Sequence, residues 1–194
     1  QKPVLDDKLG APAKQNSPAP GSQPQAAAPW TPPLVELNSK HLDRHRIVAN
    51  SATGPNLVPF NLLRTKIRKI TSDLGWRALG ITSPTPGCGK TMISANLALS
   101  LARTGDLRVV LVDLDLRKPA LAKTLGIQPA ATVRQFLREE ARAEDCFVSL
   151  NPNVVVGLNG GVFHHSSEAI RSSRMEELLE FIQTRLTPDL VLFD

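Results

Sequence analysis

The chain has 194 residues, 41% of them apolar and 4% aromatic, a composition that fits one ordinary folded domain and excludes a fibrous or wholly disordered chain. Twenty-three Lys and Arg against 18 Asp and Glu leave a formal charge of +5, too modest to point to nucleic acid or an anionic lipid surface as a partner. No apolar run approaches the roughly 18 residues that a membrane-spanning helix needs.

Half of the 16 prolines fall before Leu34, among Ala, Gln, Ser and Gly. Such a segment cannot bury enough surface to offset its ordering entropy, so residues 1–33 read as a disordered linker. Residues 34–56, with short apolar patches at Leu34-Val35 and Ile47-Val48, read as an irregular arm over the folded body, which occupies residues 57–194. Phe60, Leu63, Ile67, Ile70 and Leu74 then recur at helical spacing as far as Gly75. Ala78 to Thr82 is a short buried strand running into a Pro/Gly-rich turn, and Lys90 to about Thr104 is a helix with Ile93, Leu97 and Leu101 inward. Val109 to Val112 is a second buried strand. Short helices follow near Pro119 to Leu125 and from Thr132 to about Arg142, then a strand at Val154 to Val156. A long helix starts at Ser166 or Ser167, and Leu190 to Phe193 is a fourth strand. Strands alternating with helices predict an α/β, doubly wound, mainly parallel sheet with helices on both faces.

The turn after the first strand reads Ser83-Pro84-Thr85-Pro86-Gly87-Cys88-Gly89-Lys90-Thr91 and opens a helix, the context of a phosphate-binding loop. Thr85, Pro86, Gly87, Cys88, Gly89, Lys90, Thr91 and Met92 are the candidate nucleotide contacts. Gly87 and Gly89 let main-chain N–H groups curl around an anion, Lys90 supplies a point charge, and the Thr91 hydroxyl is a hard ligand suited to Mg²⁺. Pro84 stands where the general motif has its first glycine. The second strand delivers Asp113 and Asp115, and the fourth delivers Asp194, so two strands end in carboxylates on the side where Mg²⁺-ATP would sit.

These runs, SPTPGCGKT, SANLALSLA, VVLVDLDLRKP and PDLVLFD, resemble in order and spacing the bacterial tyrosine kinases that control capsule and exopolysaccharide synthesis, over about residues 57–194. The resemblance implies a P-loop NTPase fold and transfer of the ATP γ-phosphate to tyrosine. It implies Asp113 as a Mg²⁺ partner, Asp115 as a candidate base for the attacking tyrosine, Arg117 near the phosphates or a neighbouring subunit, and Asp194 as a second metal-linked carboxylate. Lys90, Asp113, Asp115 and Arg117 are thus the candidate catalytic set, with Thr91, Asp113 and Asp194 toward the metal. An ion pair of Asp115 with Arg117 or Lys118 is the plainer alternative. The resemblance further implies a membrane polysaccharide chain-length or export protein as activator, location at the inner face of the cell membrane through that partner, and a homo-oligomer.

The assembly motif Glu-x-x-Arg-x-x-Arg of that family is reduced here to Arg64, with Val58 and Asn61 at the other two positions. The chain has no tyrosine, so the acceptor is another protein or a C-terminal tail outside these residues. The start at Gln1 without Met and the stop at Asp194 on a strand are expected of a fragment. Partition and division-site ATPases share the fold but use a second lysine where Thr85 stands, and a nucleotide-binding regulator of polysaccharide export is a further alternative. Cys88 and Cys146 fit a reducing cytoplasm, Cys88 as a small filler in the loop, and His41, His45, His164 and His165 read as surface residues.

Overall fold

The computed structural model describes residues 30–49, 54–85, 87–162 and 166–194, with only the backbone of Ser166. Pro86 of the candidate loop, His164 and His165 lie outside the described residues, as do residues 1–29 of the proposed linker.

Five strands form one sheet in the order β1-β5-β2-β4-β3: β1 Ala78–Gly80, β2 Val109–Val112, β3 Phe147–Asn151, β4 Val154–Gly157 and β5 Leu190–Phe193. β1, β5, β2 and β4 run parallel, and β3 pairs antiparallel with β4. Val109 and Leu111 of β2 enter one core, beneath helix α3 (Lys90–Ala102), while Val110 and Val112 enter another, beneath α5 (Val133–Leu137) and α7 (Ser173–Phe181). That alternation on a strand buried along its whole length is what a sheet covered on both faces requires. The doubly wound fold expected from the sequence is present.

Several elements differ in detail. β3 was not expected; Asn151, Pro152 and Asn153 turn it into β4, and the Asn151 side chain accepts from the Asn153 N–H at 2.9 Å. The helix at Thr132 is capped as its sequence suggests, by reciprocal Thr132 and Gln135 hydrogen bonds, but ends at Leu137. The long helix near Ser166 is two, α6 (Ser166–Ile170) and α7, because Ser172 caps a new start through Met175 N.

The first body helix, α2 (Val58–Leu74), has no buried residue. Leu63 and Ile67 rest against the core, whereas Ile70 and Leu74 of the expected inward face are 44% and 56% exposed. Two of its basic residues fold back on the body: Arg64 donates to the Ser100 carbonyl oxygen and Arg68 pairs with Asp106, while Lys66 and Lys69 are exposed.

Trp30 to Pro33, assigned to the linker from composition, lie on the body. The Trp30 N–H donates to Arg185 O at 3.2 Å, and Leu34 bridges β3 through Val35 N–H to Ser149 O and Ser149 N–H to Pro33 O, both 2.9 Å. The arm beyond contains a helix, α1 (Ser39–Arg44), capped by Asn38, and sinks Leu42, Ile47 and Ala49 into the core. α3 accommodates it because its Ala, Ser and Leu composition is buried nearly all round, so a neighbour can pack on its outer side.

Candidate functional site

The phosphate-loop turn leaves β1 at the end of the parallel strands where Asp113 and Asp194 also emerge. Gly87 and Gly89 adopt φ of 74° and 88°, left-handed conformations that few side-chain-bearing residues tolerate, and Gly89 is the N-cap of α3. The turn thereby points Lys90 and Thr91 into a cleft of about 400 Å³ lined also by Ser83, Asp115 and Lys118.

Lys90 Nζ lies 3.3 Å from Asp115 Oδ2 and 3.6 Å from Asp194 Oδ1. Burial alone would lower the ammonium's affinity for its proton, but Asp194 and Asp115 outweigh that and raise its pKa. Asp115 answers in kind: burial pushes its carboxyl up, while the Lys118 N–H and the Lys90 ammonium pull it below the ordinary value. Asp115 pairs with Lys90, and the main-chain N–H groups of Arg117 and Lys118 also reach its Oδ1, at 3.2 and 2.9 Å. Arg117 borders a second opening beside Lys90, Asp115 and Asp194.

The Thr91 hydroxyl donates to Asp194 Oδ2 at 2.6 Å. Ser94, one turn further along α3, places its hydroxyl 2.8 Å from Asp194 Oδ1 and 3.0 Å from the Lys90 carbonyl oxygen, so its single proton serves one of the two. Ser94 is fully buried and was not a sequence candidate, although its position four residues after Lys90 puts it on the same helical face.

Asp113 stands apart. It is fully buried, with Oδ1 accepting from Asp115 N–H at 3.1 Å and Oδ2 from Ala120 and Leu121 N–H at 3.1 and 3.0 Å. Burial raises its carboxyl to about 6 despite those hydrogen bonds, and the Asp194 charge adds to the rise. Its carboxylate holds the start of α4 (Leu121–Leu125) and makes no hydrogen bond to Lys90 or Thr91 among those of the described residues.

Cys88 is exposed rather than a filler, and hydrogen bonding from Ser83 holds its thiol below the ordinary value. Thr85 is also exposed, and its carbonyl oxygen accepts from the Ser83 hydroxyl at 3.1 Å. Met92 lines the cleft and offers its carbonyl oxygen to Asn96 Nδ2 at 2.9 Å. His45, at the end of α1, had no signal in the sequence and reaches the cleft from the arm.

The sequence profile of the CobQ/CobB/MinD/ParA nucleotide binding domain matches residues 79–192, more than half of the chain. The chain belongs to this family. Within this nucleotide-binding family, the sequence resemblance to bacterial tyrosine kinases is borne out by its relatives. EpsB of Ralstonia solanacearum is 32% identical over 177 residues, which are 87% of this chain and 23% of EpsB. YwqD, a tyrosine-protein kinase of Bacillus subtilis, is 27% identical over 162 residues, 83% of this chain and 67% of that protein. Among solved structures, the VpsO kinase domain superposes with a TM-score of 0.60 at 28% identity, over 71% of this chain and 68% of that domain. The chain thus spans less than a quarter of EpsB's length.

Proposed function

We propose that this domain is the phosphoryl-transfer unit of a bacterial protein-tyrosine kinase of polysaccharide biosynthesis, binding Mg²⁺-ATP at the loop from Thr85 to Met92. The observation that carries the reading is the position of Lys90 between Asp115 and Asp194, at 3.3 and 3.6 Å, with the Thr91 hydroxyl on the second carboxylate. A candidate phosphate ligand thus lies within ion-pair reach of both a candidate base and a metal-side carboxylate.

The donor set suits a hard divalent cation. Thr91 Oγ1 and the Asp194 carboxylate are adjacent oxygens already hydrogen-bonded to each other, and they are the residues that would hold Mg²⁺. The ion supplies charge compensation at the terminal phosphates when bound. Asp113 fits a more indirect part, since both its oxygens already accept main-chain N–H groups.

In the proposed reaction, the tyrosine hydroxyl oxygen bonds to the γ-phosphorus, the bond to the β–γ bridging oxygen breaks, ADP leaves, and Asp115 takes the hydroxyl proton. Asp115 is a weak base while Lys90 pairs with it. Lys90 turning toward a phosphate removes that counter-charge, so the proton affinity of Asp115 rises as the phosphate chain arrives. Coupling the base to the phosphate ligand in this way holds back proton abstraction in the empty cleft.

The acceptor tyrosine belongs to a molecule or segment outside these residues, since the 194 contain none. By the resemblance, the activating partner is a membrane protein of polysaccharide chain-length control or export, which would hold the domain at the inner membrane face and favour its self-assembly. Thr85 in place of a second lysine separates the chain from the partition-type ATPases. The test is transfer of label from γ-labelled ATP to a tyrosine-bearing acceptor with the wild-type chain and with Lys90→Ala. The wild type should transfer, and the variant should lose ATP binding and transfer together. Equal ATP binding by the two would remove the reading.

A further inference from the structure

One residue in the wall of the cleft at Lys90 comes neither from the phosphate-loop turn and its helix nor from the chain that follows β2. His45 joins Ser83, Gly89, Lys90, Thr91, Met92 and Lys118 around the same cavity, although it lies 45 positions before Lys90 and on the arm rather than on the sheet.

Two independent anchors fix it there. On its carboxyl side, buried Asn96 of α3 accepts from Val48 and Ala49 N–H at 2.8 and 2.9 Å through Oδ1, and donates to Arg46 O at 2.9 Å through Nδ2. On its amino side, His41 Nε2 lies 2.9 Å from the Lys123 carbonyl oxygen, so that nitrogen carries the proton and donates. The His41 ring also covers Gly126, where an added Cβ would stand 2.8 Å from its Cδ2. His45 stacks on His41 with centroids 4.5 Å apart. Arg46, the residue after His45, takes φ of 58°, a left-handed conformation disfavoured for Arg that the surrounding hydrogen bonds hold in place.

We infer that His45 is a nucleotide-binding residue, its ring N–H donating to a phosphate oxygen of ATP in the cleft with Lys90 and Lys118. The inference rests on the reading of this cleft as the ATP site. An imidazole in either protonation state carries at least one N–H, and hydrogen bonds from a fixed donor to an anionic oxygen are among the stronger ones. The arm is thereby part of the binding site, and its attachment to α3 places a phosphate donor that the loop alone lacks.

The experiment measures ATP affinity, with Mg²⁺ present, by titration calorimetry on the whole 194-residue chain and on His45→Ala, His45→Phe, His45→Gln and Lys90→Ala. Melting without nucleotide is recorded for each. His45→Ala and His45→Phe should each weaken ATP binding by about tenfold, Phe doing so although it keeps a ring to stack on His41, and Gln, which keeps an N–H donor, should retain more affinity than either. Wild-type affinity in His45→Phe would show that the residue only packs, and wild-type affinity in His45→Ala would remove it from the site; either overturns the inference. Loss of binding in Lys90→Ala beside intact binding in His45→Ala would defeat this inference alone, whereas unchanged binding in Lys90→Ala would defeat the ATP site itself.

Discussion

Replacing Asn96 with Ala tests whether the arm is an integral part of the domain. Asn96 is fully buried and makes four side-chain hydrogen bonds, to Val48 N–H, Ala49 N–H, Arg46 O and Met92 O. Met92 O lies four residues back on α3, where the helix's own ladder also serves it, so the loss falls on the three arm groups. A buried polar group stripped of its partner costs about 1–3 kcal/mol, and taking the low end for each of the three groups, two of them only part-buried, gives roughly 3 kcal/mol. That is a large share of the roughly 5–15 kcal/mol that holds a domain together. The loss should be local first, because Leu42 and Ile47 still bury against the core while the turn at Arg46 loses its ties. Urea unfolding of Asn96→Ala should show the reduced stability, and native-state hydrogen exchange should show Val48 and Ala49 amides exchanging more than tenfold faster than those of β2. Asn96→Asp is the control: its carboxylate accepts both N–H groups but faces the Arg46 carbonyl oxygen with no donor, so its deficit should shrink as pH falls and the acid regains a proton. Unaltered exchange at Val48 and Ala49 with stability within about 0.5 kcal/mol of wild type would refute the reasoning.

Asp113→Asn and Asp115→Asn should fail differently. Asp113 binds its proton more tightly folded than unfolded, with its carboxyl raised from 3.8 to about 6, so its contribution is complete below about pH 4 and is lost as pH rises through about 6, a change worth roughly 3 kcal/mol. Without nucleotide or divalent metal, wild-type stability should therefore fall over that interval while Asp113→Asn lacks the fall, and parallel pH profiles in urea unfolding would contradict it. Asp115→Asn should slow transfer to tyrosine far more than it weakens ATP binding, and equal loss of both would deny it the part of base. The outer edge of β1 predicts self-association: Arg77 O and Ile81 N–H bond to β5, so Ala78 and Gly80 turn their main-chain groups away from it, beside exposed Leu74 and Trp76. Ala78→Pro removes an outward N–H without breaking a ladder bond and should lower the sedimenting mass at high concentration; an unchanged distribution would place the contact elsewhere.

The sheet was legible in the sequence wherever burial was continuous, whereas β1, read as a buried strand over Ala78 to Thr82, spans only Ala78–Gly80 and has exposed ends. Val109 to Val112 and Leu190 to Phe193 are apolar runs too short for helices, and both are strands with the expected bounds. β3 escaped because Phe147-Val148-Ser149-Leu150-Asn151 mixes apolar and polar residues, and its inward side is decided by pairing with β4 and by the arm crossing at Leu34. α2 misled in the opposite direction. Its apolar residues keep helical spacing over more than one face, and only packing decides that Leu63 and Ile67 meet the core while Leu62, Ile70 and Leu74 face outward. The arm was expected to be irregular since its apolar residues are few, yet Leu42, Ile47 and Ala49 are each nearly fully buried. A few well-placed side chains anchor a segment when a polar residue elsewhere, here Asn96, satisfies its backbone.

The candidate site divides along the same line. Gly87, Gly89, Lys90 and Thr91 are adjacent in sequence, and their arrangement follows from one turn and one helix start, so local spacing was enough to bring them together. Asp194 comes from β5 and meets Thr91 only because β5 pairs beside β1, which places the end of one strand next to the turn of the other. Ser94 and His45 are further removed from any pattern, since a serine within an apolar helix and a histidine on an arm have many uses. What gives them meaning is the charge distribution at the strand ends. Asp113 and Asp194 are both nearly inaccessible, and with Asp115 they set three carboxylates around the ammonium of Lys90, which pairs with Asp115 and Asp194. Hydroxyls and main-chain N–H groups take up part of that excess: Thr91 and Ser94 at Asp194, the Ala120 and Leu121 amides at Asp113. Burying a carboxylate so that its proton affinity climbs to about 6 is costly for a group whose only task is to start a five-residue helix. The cost is accounted for if the cleft works with a cation in it, whose charge would offset the excess and restore Asp113 toward its ordinary acidity.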